Sequence, residues 1–271
     1  MADQPERFPH EGDFPLLMVR KRGPITMADI IRMSTNVENF RELLKKHFSQ
    51  RTIERISLRT CDQSNSPLWF LYRRCVITGT LAKRIISQSL KNENNPKINR
   101  SISKIFKNTF TSEAMLYGTE NEKNALETFL KIYKTTHTDV TVRPTGVVLY
   151  KHAPFIAGSP DAIISCSCCE EPILTEFKCP FRLKDTGISN WSILEYLDKH
   201  QKLKKNHTYM NQLNIYQGIL EIKNAFFVVY AKGEVIIQEI HFDKHFFDFQ
   251  VKHITSYYER FYLPTVINTK I

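Results

Sequence analysis

Hydrophobic residues follow two different periods along this chain. Apolar side chains recur at every third or fourth position in six segments, which predicts helices at residues 27–49, from 69, from 81, 112–133, 208–220 and 246–261. Runs rich in β-branched and aromatic residues predict strands at 140–150, 161–165, 173–177, 225–231 and 234–241, with a hairpin turn at Lys232-Gly233. This order of elements predicts an α/β (α+β) fold in which a central mixed β-sheet is flanked by helices.

Polar segments separate these elements. Residues 60–67 are expected to form a loop, residues 91–104 an exposed connection, and residues 198–207 a basic loop. Asn36 is expected to cap a helix inside the first helical segment. A chain of 271 residues is long enough for a large domain with a smaller extension. We therefore expect a helical N-terminal extension over residues 1–65 and a core domain over residues 66–271.

Composition narrows the class of protein. A hydrophobic content of 42% and a charged content of 24% are ordinary for a globular chain, and the net charge of +10 favours a polyanionic partner such as nucleic acid. No apolar run is long enough to cross a membrane and the N-terminus has no signal-like segment, so we expect an intracellular protein, nuclear or cytoplasmic, that is not secreted. Six cysteines are then expected to be reduced. The spacing C-x-C-C-x9-C, from Cys166 to Cys179, matches no common zinc pattern, so we do not expect zinc there.

The segment around Asp161 carries the strongest chemical signal. It is followed along the chain by Glu176-Phe177-Lys178, and alternation in a strand projects Glu176 and Lys178 to one face while Phe177 turns to the other. If the two strands pair antiparallel, both carboxylates approach one point, which suits Mg²⁺ with a lysine charge beside it. The alternative is a solvated hairpin with three surface charges.

A third carboxylate lies on the predicted helix 112–133. Glu122 shares a helical face with Ala125 and Phe129, so we expect it to be buried and to need a metal or a buried basic partner. Gly118, one turn earlier, is expected to permit close approach of another backbone segment.

Polar groups on two further helices complete the candidates. Gln212 interrupts an apolar stripe, where it could orient a water or a metal-bound phosphate, or simply bond to backbone. Trp69 and Arg73 share one helical face, and Thr78 and Thr80 precede the helix that starts near Leu81. A capped helix N-terminus with Arg73 nearby could bind a phosphate, or it could be an ordinary capped helix.

These blocks together resemble the lambda-exonuclease-like (YqaJ viral recombinase) branch of the PD-(D/E)XK nucleases, and viral alkaline exonucleases are similar. The resemblance spans Trp69 to about Tyr230. It consists of W-x3-R-x4-T-x-T from Trp69 to Thr80, G-x3-E-x2-A from Gly118 to Ala125, SPD from Ser159 to Asp161, ExKCP from Glu176 to Pro180, and Y-x2-Q at Tyr209 and Gln212. The chain departs from the family pattern in two places: Gly79-Thr80 stand where Ala-Ser is frequent, and Asn214 stands where a second Gln is common.

The resemblance implies a restriction-endonuclease-like core and a Mg²⁺-dependent 5′ to 3′ exonuclease, with Mn²⁺ as a substitute. Such an enzyme digests one strand of linear duplex DNA to leave single-stranded 3′ tails for recombination, with a strand-annealing protein as partner and a ring-shaped homotrimer as one oligomeric form. An endonuclease for DNA or RNA and a non-catalytic nucleic-acid-binding relative are the alternatives.

The resemblance also implies residue roles. Metal ligation falls to Asp161, Glu176 and the carbonyl of Phe177, with Glu122 nearby. Lys178 activates the nucleophile and Gln212 supports it. Nucleic acid is bound by the set Trp69, Arg73, Thr78, Thr80 and Ser159, within which Arg73 with Thr78 or Thr80 grips a 5′ phosphate.

Overall fold

The computed structural model describes residues 23–91 and 112–269. Helices form its first part: α1 (Met27–Met33), α2 (Val37–His47), α3 (Gln50–Arg59), α4 (Pro67–Arg73) and α5 (Gly79–Leu90). The helix predicted over residues 27–49 is two helices, because the Asn36 side chain accepts a hydrogen bond from the Asn39 N–H and begins α2. Helix α3 was not predicted, and the loop predicted at residues 60–67 includes a 3₁₀ turn, Gln63–Asn65.

Two mixed sheets form the centre of the fold, as predicted for a mixed α/β arrangement. The short strands β1 (Ile77–Thr78), β3 (Val148–Tyr150) and β4 (Ala153–Gly158) form one sheet in the order β1-β4-β3. The larger sheet has the order β2-β5-β6-β7-β8 and contains β2 (Thr141–Arg143), β5 (Ala162–Ser165), β6 (Ile173–Lys178), β7 (Asn224–Ala231) and β8 (Glu234–His241). In the larger sheet β6 and β7 are parallel and the other neighbours are antiparallel.

The strand predicted over residues 140–150 is interrupted. Pro144 lacks a backbone donor, and Gly146 lies so close to α3 that a Cβ atom there would be 2.1 Å from the Ser57 carbonyl oxygen. The chain therefore leaves the sheet between β2 and β3. Strand β4 was not predicted at all, since its six residues are all buried and show no alternation.

Two helices enclose the larger sheet. Helix α6 (Glu113–Tyr133), which confirms the sequence prediction, packs through Phe129 onto Phe177 of the sheet, with ring centroids 6.1 Å apart. Helix α7 (Thr208–Leu220), also confirmed, connects the parallel strands β6 and β7 and packs against α5, β3 and β4. The site residues on β6 and α7 therefore meet between these layers.

The C-terminal segment closes the core. The predicted hairpin turn is confirmed, with Lys232 and Gly233 both at positive φ, 50° and 84°. Helix α8 (Lys244–Tyr257) continues into a π-helical turn, Tyr258–Tyr262, and then into α9 (Leu263–Thr269), which extends beyond the helix predicted at residues 246–261. Tyr258 stacks on Phe155 of β4 with ring centroids 4.3 Å apart, and on Phe40 of α2 at 5.8 Å.

One hydrophobic core joins the N-terminal helices to the sheets, since Ile30, Phe40, Ile56, Leu174 and Tyr258 all belong to it. The boundary at residue 65 therefore stays a prediction. The exposed connection predicted at residues 91–104 lies, apart from residue 91, outside the described residues. In the described part of the chain, no helix is both long enough and apolar enough for a membrane crossing.

Candidate active site

The β5–β6 hairpin brings Asp161 and Glu176 together. The antiparallel pairing expected from the sequence is present, with Ala162 opposite Thr175, so Asp161 just before β5 lies beside the end of β6. The Phe177 N–H donates a hydrogen bond to Asp161 Oδ2 over 2.7 Å. The Phe177 ring lies on the opposite, apolar side of the sheet, as alternation predicts.

The Glu176 carboxylate is held on one oxygen and open on the other. Its side chain is 3% exposed, and its Oε1 accepts hydrogen bonds from Lys178 Nζ at 2.6 Å and from Gln212 Nε2 at 2.5 Å. Within residues 23–91 and 112–269, its Oε2 has no hydrogen-bond partner. A buried carboxylate oxygen without a partner is costly, so this atom indicates that a group outside the described residues completes the site.

The electrostatics of the site point the same way. Burial raises the pKa of Asp161 well above its ordinary value, and the charge of Glu176 raises it further, although Lys178 lowers it. Burial alone would lower the pKa of Lys178, but the charges of Glu176 and Asp161 outweigh burial and raise it above its ordinary value. Burial also raises the pKa of Glu122 to about 7. Three carboxyl groups thus share one lysine.

This donor set fits a hard divalent cation. Carboxylate and carbonyl oxygens are the ligands that Mg²⁺ prefers, and a cation would relieve the mutual repulsion that raises the pKa values of Asp161 and Glu122. Glu176 Oε2, which has no hydrogen-bond partner among the described residues, is the atom best suited to bind this cation.

Helix α7 supplies the groups that orient Glu176. Besides Glu176, the Gln212 amide donates to the Tyr216 hydroxyl at 2.9 Å, so the alternative in which this amide bonds to backbone is wrong. The Tyr216 ring packs on Gly79 and Gly158, where a Cβ atom would stand 2.7 and 2.6 Å from it. Both glycines are needed for this close approach. The sequence analysis assigned no role to Tyr216.

Two details of helix α6 differ from the expectation. Glu122 is half-buried rather than fully buried, because the apolar stripe ends near it: Met115, two turns earlier on the same face, is 58% exposed. Among residues 23–91 and 112–269, nothing lies within 4 Å of a Cβ atom built on Gly118, so no described backbone segment makes the expected close approach. Glu122 still lies near the other charges, since its charge raises the pKa of Asp161.

The candidate nucleic-acid-binding residues make two separate groups of contacts, one around Trp69 and one between Thr78 and Thr80. The Arg73 guanidinium lies 3.9 Å from the centre of the Trp69 ring, and Trp69 Nε1 donates to Ser159 Oγ over 3.2 Å. Thr78 and Thr80 bond to each other through their hydroxyls at 2.8 Å. Thr78 makes no side-chain capping bond to α5, and that helix begins at Gly79 rather than near Leu81, so the predicted hydroxyl cap is wrong.

Gln63 is a supporting residue whose role was missed. Its amide Nε2 donates to the carbonyl oxygens of Pro160 and Thr145, each at 3.0 Å, and so fixes the loop that carries Asp161. No sequence period marks this contact, because Gln63 lies in a polar turn far from its partners along the chain.

The sequence itself matches one known family. Residues 68–255 match the family described as the YqaJ-like viral recombinase domain, and the chain belongs to that family. No curated protein matches the sequence.

Solved structures with a similar fold include three of interest. The alkaline exonuclease of Laribacter hongkongensis is 17% identical, with a TM-score of 0.55 and coverage of 75% of this chain and 95% of that one. The shutoff and exonuclease protein of Kaposi's sarcoma-associated herpesvirus is 11% identical, with a TM-score of 0.52 and coverage of 93% and 87%. The KSHV SOX–RNA complex is 11% identical, with a TM-score of 0.55 and coverage of 84% and 78%. At these identities the likeness shows the fold alone, and together with the family it supports a nuclease.

Proposed function

We propose that this protein is a magnesium-dependent deoxyribonuclease that digests one strand of linear duplex DNA from its 5′ end. The main support for this proposal is the arrangement of the Glu176 carboxylate. Lys178 and Gln212 donate hydrogen bonds to one of its oxygens, and the other oxygen has no partner among the residues described. Asp161 lies beside it. The viral recombinase family and the exonucleases among its fold neighbours support the same activity.

Asp161, Glu176 and the carbonyl of Phe177 would hold the metal, with Glu122 nearby. Mg²⁺ is the expected ion because all these donors are oxygens, and Mn²⁺ is expected to substitute. When bound, such an ion stabilises negative charge on the phosphodiester and lowers the pKa of water.

Lys178 acts as a fixed positive charge. Its ammonium group bonds to Glu176 and lies 4.8 Å from the centre of the Tyr209 ring, and its raised pKa keeps it protonated at neutral pH. It can therefore orient a water molecule or hold a non-bridging phosphate oxygen, but it cannot accept a proton. Gln212 keeps the Glu176 carboxylate in place.

Arg73 and Thr80 are the proposed contacts for a 5′ phosphate. Within the two described segments, no acidic side chain pairs with Arg73, and its guanidinium is held by the Trp69 ring. Thr78 is buried and Thr80 exposed, so Thr80 presents the accessible hydroxyl. Ser159 accepts a hydrogen bond from Trp69 and so links that ring to the loop that carries Asp161. We expect 5′-phosphorylated ends to be digested faster than 5′-hydroxyl ends.

An endonuclease or an RNA-cutting enzyme is the second candidate, because a protein of similar fold is known in complex with RNA. A non-catalytic binding protein is disfavoured, since clustered carboxylates destabilise a fold that does not use them.

The test compares 5′-labelled linear duplex with covalently closed circular duplex in Mg²⁺. We expect loss of the 5′ label from the linear duplex and no cutting of the circle. Asp161→Asn should abolish digestion while DNA binding remains measurable, and Glu127→Gln, an exposed substitution on α6, should leave the rate unchanged. Nicking of the circle would favour the endonuclease, and full activity of Asp161→Asn would refute the metal site.

Processive digestion by a homotrimer and transfer of the 3′ tail to a strand-annealing protein belong to the same proposal. Sedimentation of the free protein and of its complex with duplex ends tests the oligomeric state.

A further inference from the structure

A second set of metal-binding side chains lies outside the carboxylate site. His137 follows the C-terminus of α6, and Cys166, Cys168 and Cys169 lie in the loop between β5 and β6. One potential ligand atom from each residue lies within 4.8 Å of those from the other three. Thiol and imidazole groups of this kind are typical ligands of zinc, not of magnesium.

The spacing of these groups suits a tetrahedral ion. Zinc binds sulfur at about 2.3 Å and nitrogen at roughly 2.0–2.1 Å, so tetrahedral ligand atoms are separated by about 3.5–3.8 Å. The Sγ atoms of Cys166 and Cys168 are 3.5 Å apart, and all six cysteines of the chain are free thiols. A small contraction of the remaining distances would complete the geometry.

The histidine is already oriented for such a role. His137 Nδ1 lies 3.0 Å from the Tyr133 carbonyl oxygen and 2.9 Å from the Thr136 hydroxyl oxygen, and because a carbonyl can only accept, the tautomer that satisfies the Tyr133 contact has its proton on Nδ1. The lone pair of Nε2 is then available to a metal, which is the usual arrangement of a metal-binding histidine. The imidazole also stacks on the Tyr133 ring, with centroids 3.7 Å apart and planes 8° apart.

The two chain segments are held together without any ion. The Ser167 N–H donates to the Thr138 carbonyl oxygen over 3.0 Å, and the hydroxyls of the same residues are 2.9 Å apart. The Tyr133 hydroxyl lies 3.8 Å from Cys166 Sγ. Because these contacts already hold the two segments together, less conformational entropy is lost when a metal binds.

We propose that His137, Cys166, Cys168 and Cys169 bind one structural Zn²⁺ ion. All four positions are filled by protein, which distinguishes a structural site from a catalytic one. The sequence pattern obscured this site because it grouped Cys179 with the other cysteines. Cys179 is instead buried in the apolar cluster under α6, and His137 takes the fourth position.

Such an ion would fasten α6 to the β5–β6 hairpin. Glu122 lies on that helix, and Asp161 and Glu176 lie at the end of the hairpin away from the cysteine loop. Zinc would therefore support the relative placement of the three carboxylates without taking part in the chemistry. The proposal is independent of the nuclease assignment, because the site is defined by its own ligands.

The test is metal analysis of the full chain, purified without chelator, loaded with Zn²⁺ and then desalted. We expect about one zinc per chain in the wild type and in the control Cys61→Ser, whose thiol lies outside the cluster. Cys168→Ser and His137→Asn should each retain only a small fraction of that zinc. Removal of zinc from the wild type should lower its Tm.

Cobalt provides a second measurement that does not depend on the variants folding. Co²⁺ bound in place of Zn²⁺ should show the strong visible and near-ultraviolet absorption of tetrahedral cobalt thiolate. A zinc-free wild type that gives only weak, octahedral cobalt colour would overturn the proposal, as would unchanged zinc in both cluster variants or stoichiometric iron. None of these readouts uses nucleic acid, so a failed nuclease assay leaves them intact.

Discussion

Gln212 offers a sharp test of how the Glu176 carboxylate is held. Gln212→Met keeps the length of the side chain but removes the amide. Glu176 then loses a hydrogen bond of 2.5 Å, worth about 1.5–3 kcal/mol because the acceptor is charged, and Tyr216 loses a neutral one worth about 1 kcal/mol. The buried Gln212 Oε1, which has no partner in the described residues, disappears as well, and this recovers about 1–3 kcal/mol. The net loss of stability is about 1 kcal/mol.

The effect on activity should be larger than the effect on stability. Glu176 is left with Lys178 alone as its donor among the described residues. If the full free energy of the lost Gln212–Glu176 hydrogen bond, about 1.5–3 kcal/mol, is added to the activation barrier, the rate falls roughly 10- to 150-fold. The assay is digestion of linear duplex at saturating Mg²⁺, with urea unfolding in parallel. The folded fraction under assay conditions should remain close to that of the wild type.

Gln217→Met is the matched control on the same helix. Gln217 is fully buried, donates to the carbonyl oxygens of Lys223 and Ile240 at 2.9 and 3.1 Å, and also has an Oε1 without a partner in the described residues. Its replacement should change stability by a similar amount and leave the rate unchanged. Equal loss of activity in both variants, or a wild-type rate in Gln212→Met, would refute the positioning role of Gln212.

Three further predictions concern pH, nucleic-acid binding and packing. Burial raises the pKa of Glu122 from its ordinary value to about 7, so stability falls as pH rises from that ordinary value to about 7. The increase in Tm caused by Mg²⁺ should be larger at pH 8 than at pH 6 and smaller in Glu122→Gln. The exposed Lys202 and Lys205 lie in the basic loop at residues 198–207. Replacing both with alanine should make the slope of log affinity for DNA against log salt concentration shallower by about 0.9 for each phosphate that is no longer neutralised. An unchanged slope would show that this loop does not bind DNA phosphates. Gly158→Ala places a Cβ atom 2.6 Å from the Tyr216 ring and should cost about 1–3 kcal/mol in urea unfolding. Gly118→Ala, where no described residue lies within 4 Å of the added Cβ atom, should not destabilise.

The parts of the site that could be predicted from sequence follow local periods. Alternation in β6 predicts that Glu176 and Lys178 share a face, and the helical period of α7 places Gln212 in its apolar stripe. Antiparallel pairing of a short hairpin then brings Asp161 beside them. Each step uses either neighbours two to four residues apart in one element or the two strands of one hairpin.

The parts that could not be predicted depend on contacts between distant segments. Strand β4 is buried on both faces, so its sequence has no alternation to detect. His137 joins the three cysteines only because the end of α6 meets the β5–β6 loop. Tyr216 can lie beside Gln212 and accept its hydrogen bond because its ring packs on two glycines, Gly79 and Gly158, that lie on other elements. A single sequence carries no signal for such encounters.

The contact from Gln63 to the Pro160 carbonyl has a practical consequence. Gln63 precedes residues 68–255, which define the family, yet its amide supports the backbone directly before Asp161. A shortened protein that begins at residue 68 would lose this hydrogen bond. An alignment of relatives restricted to residues 68–255 would likewise leave out a residue that positions Asp161.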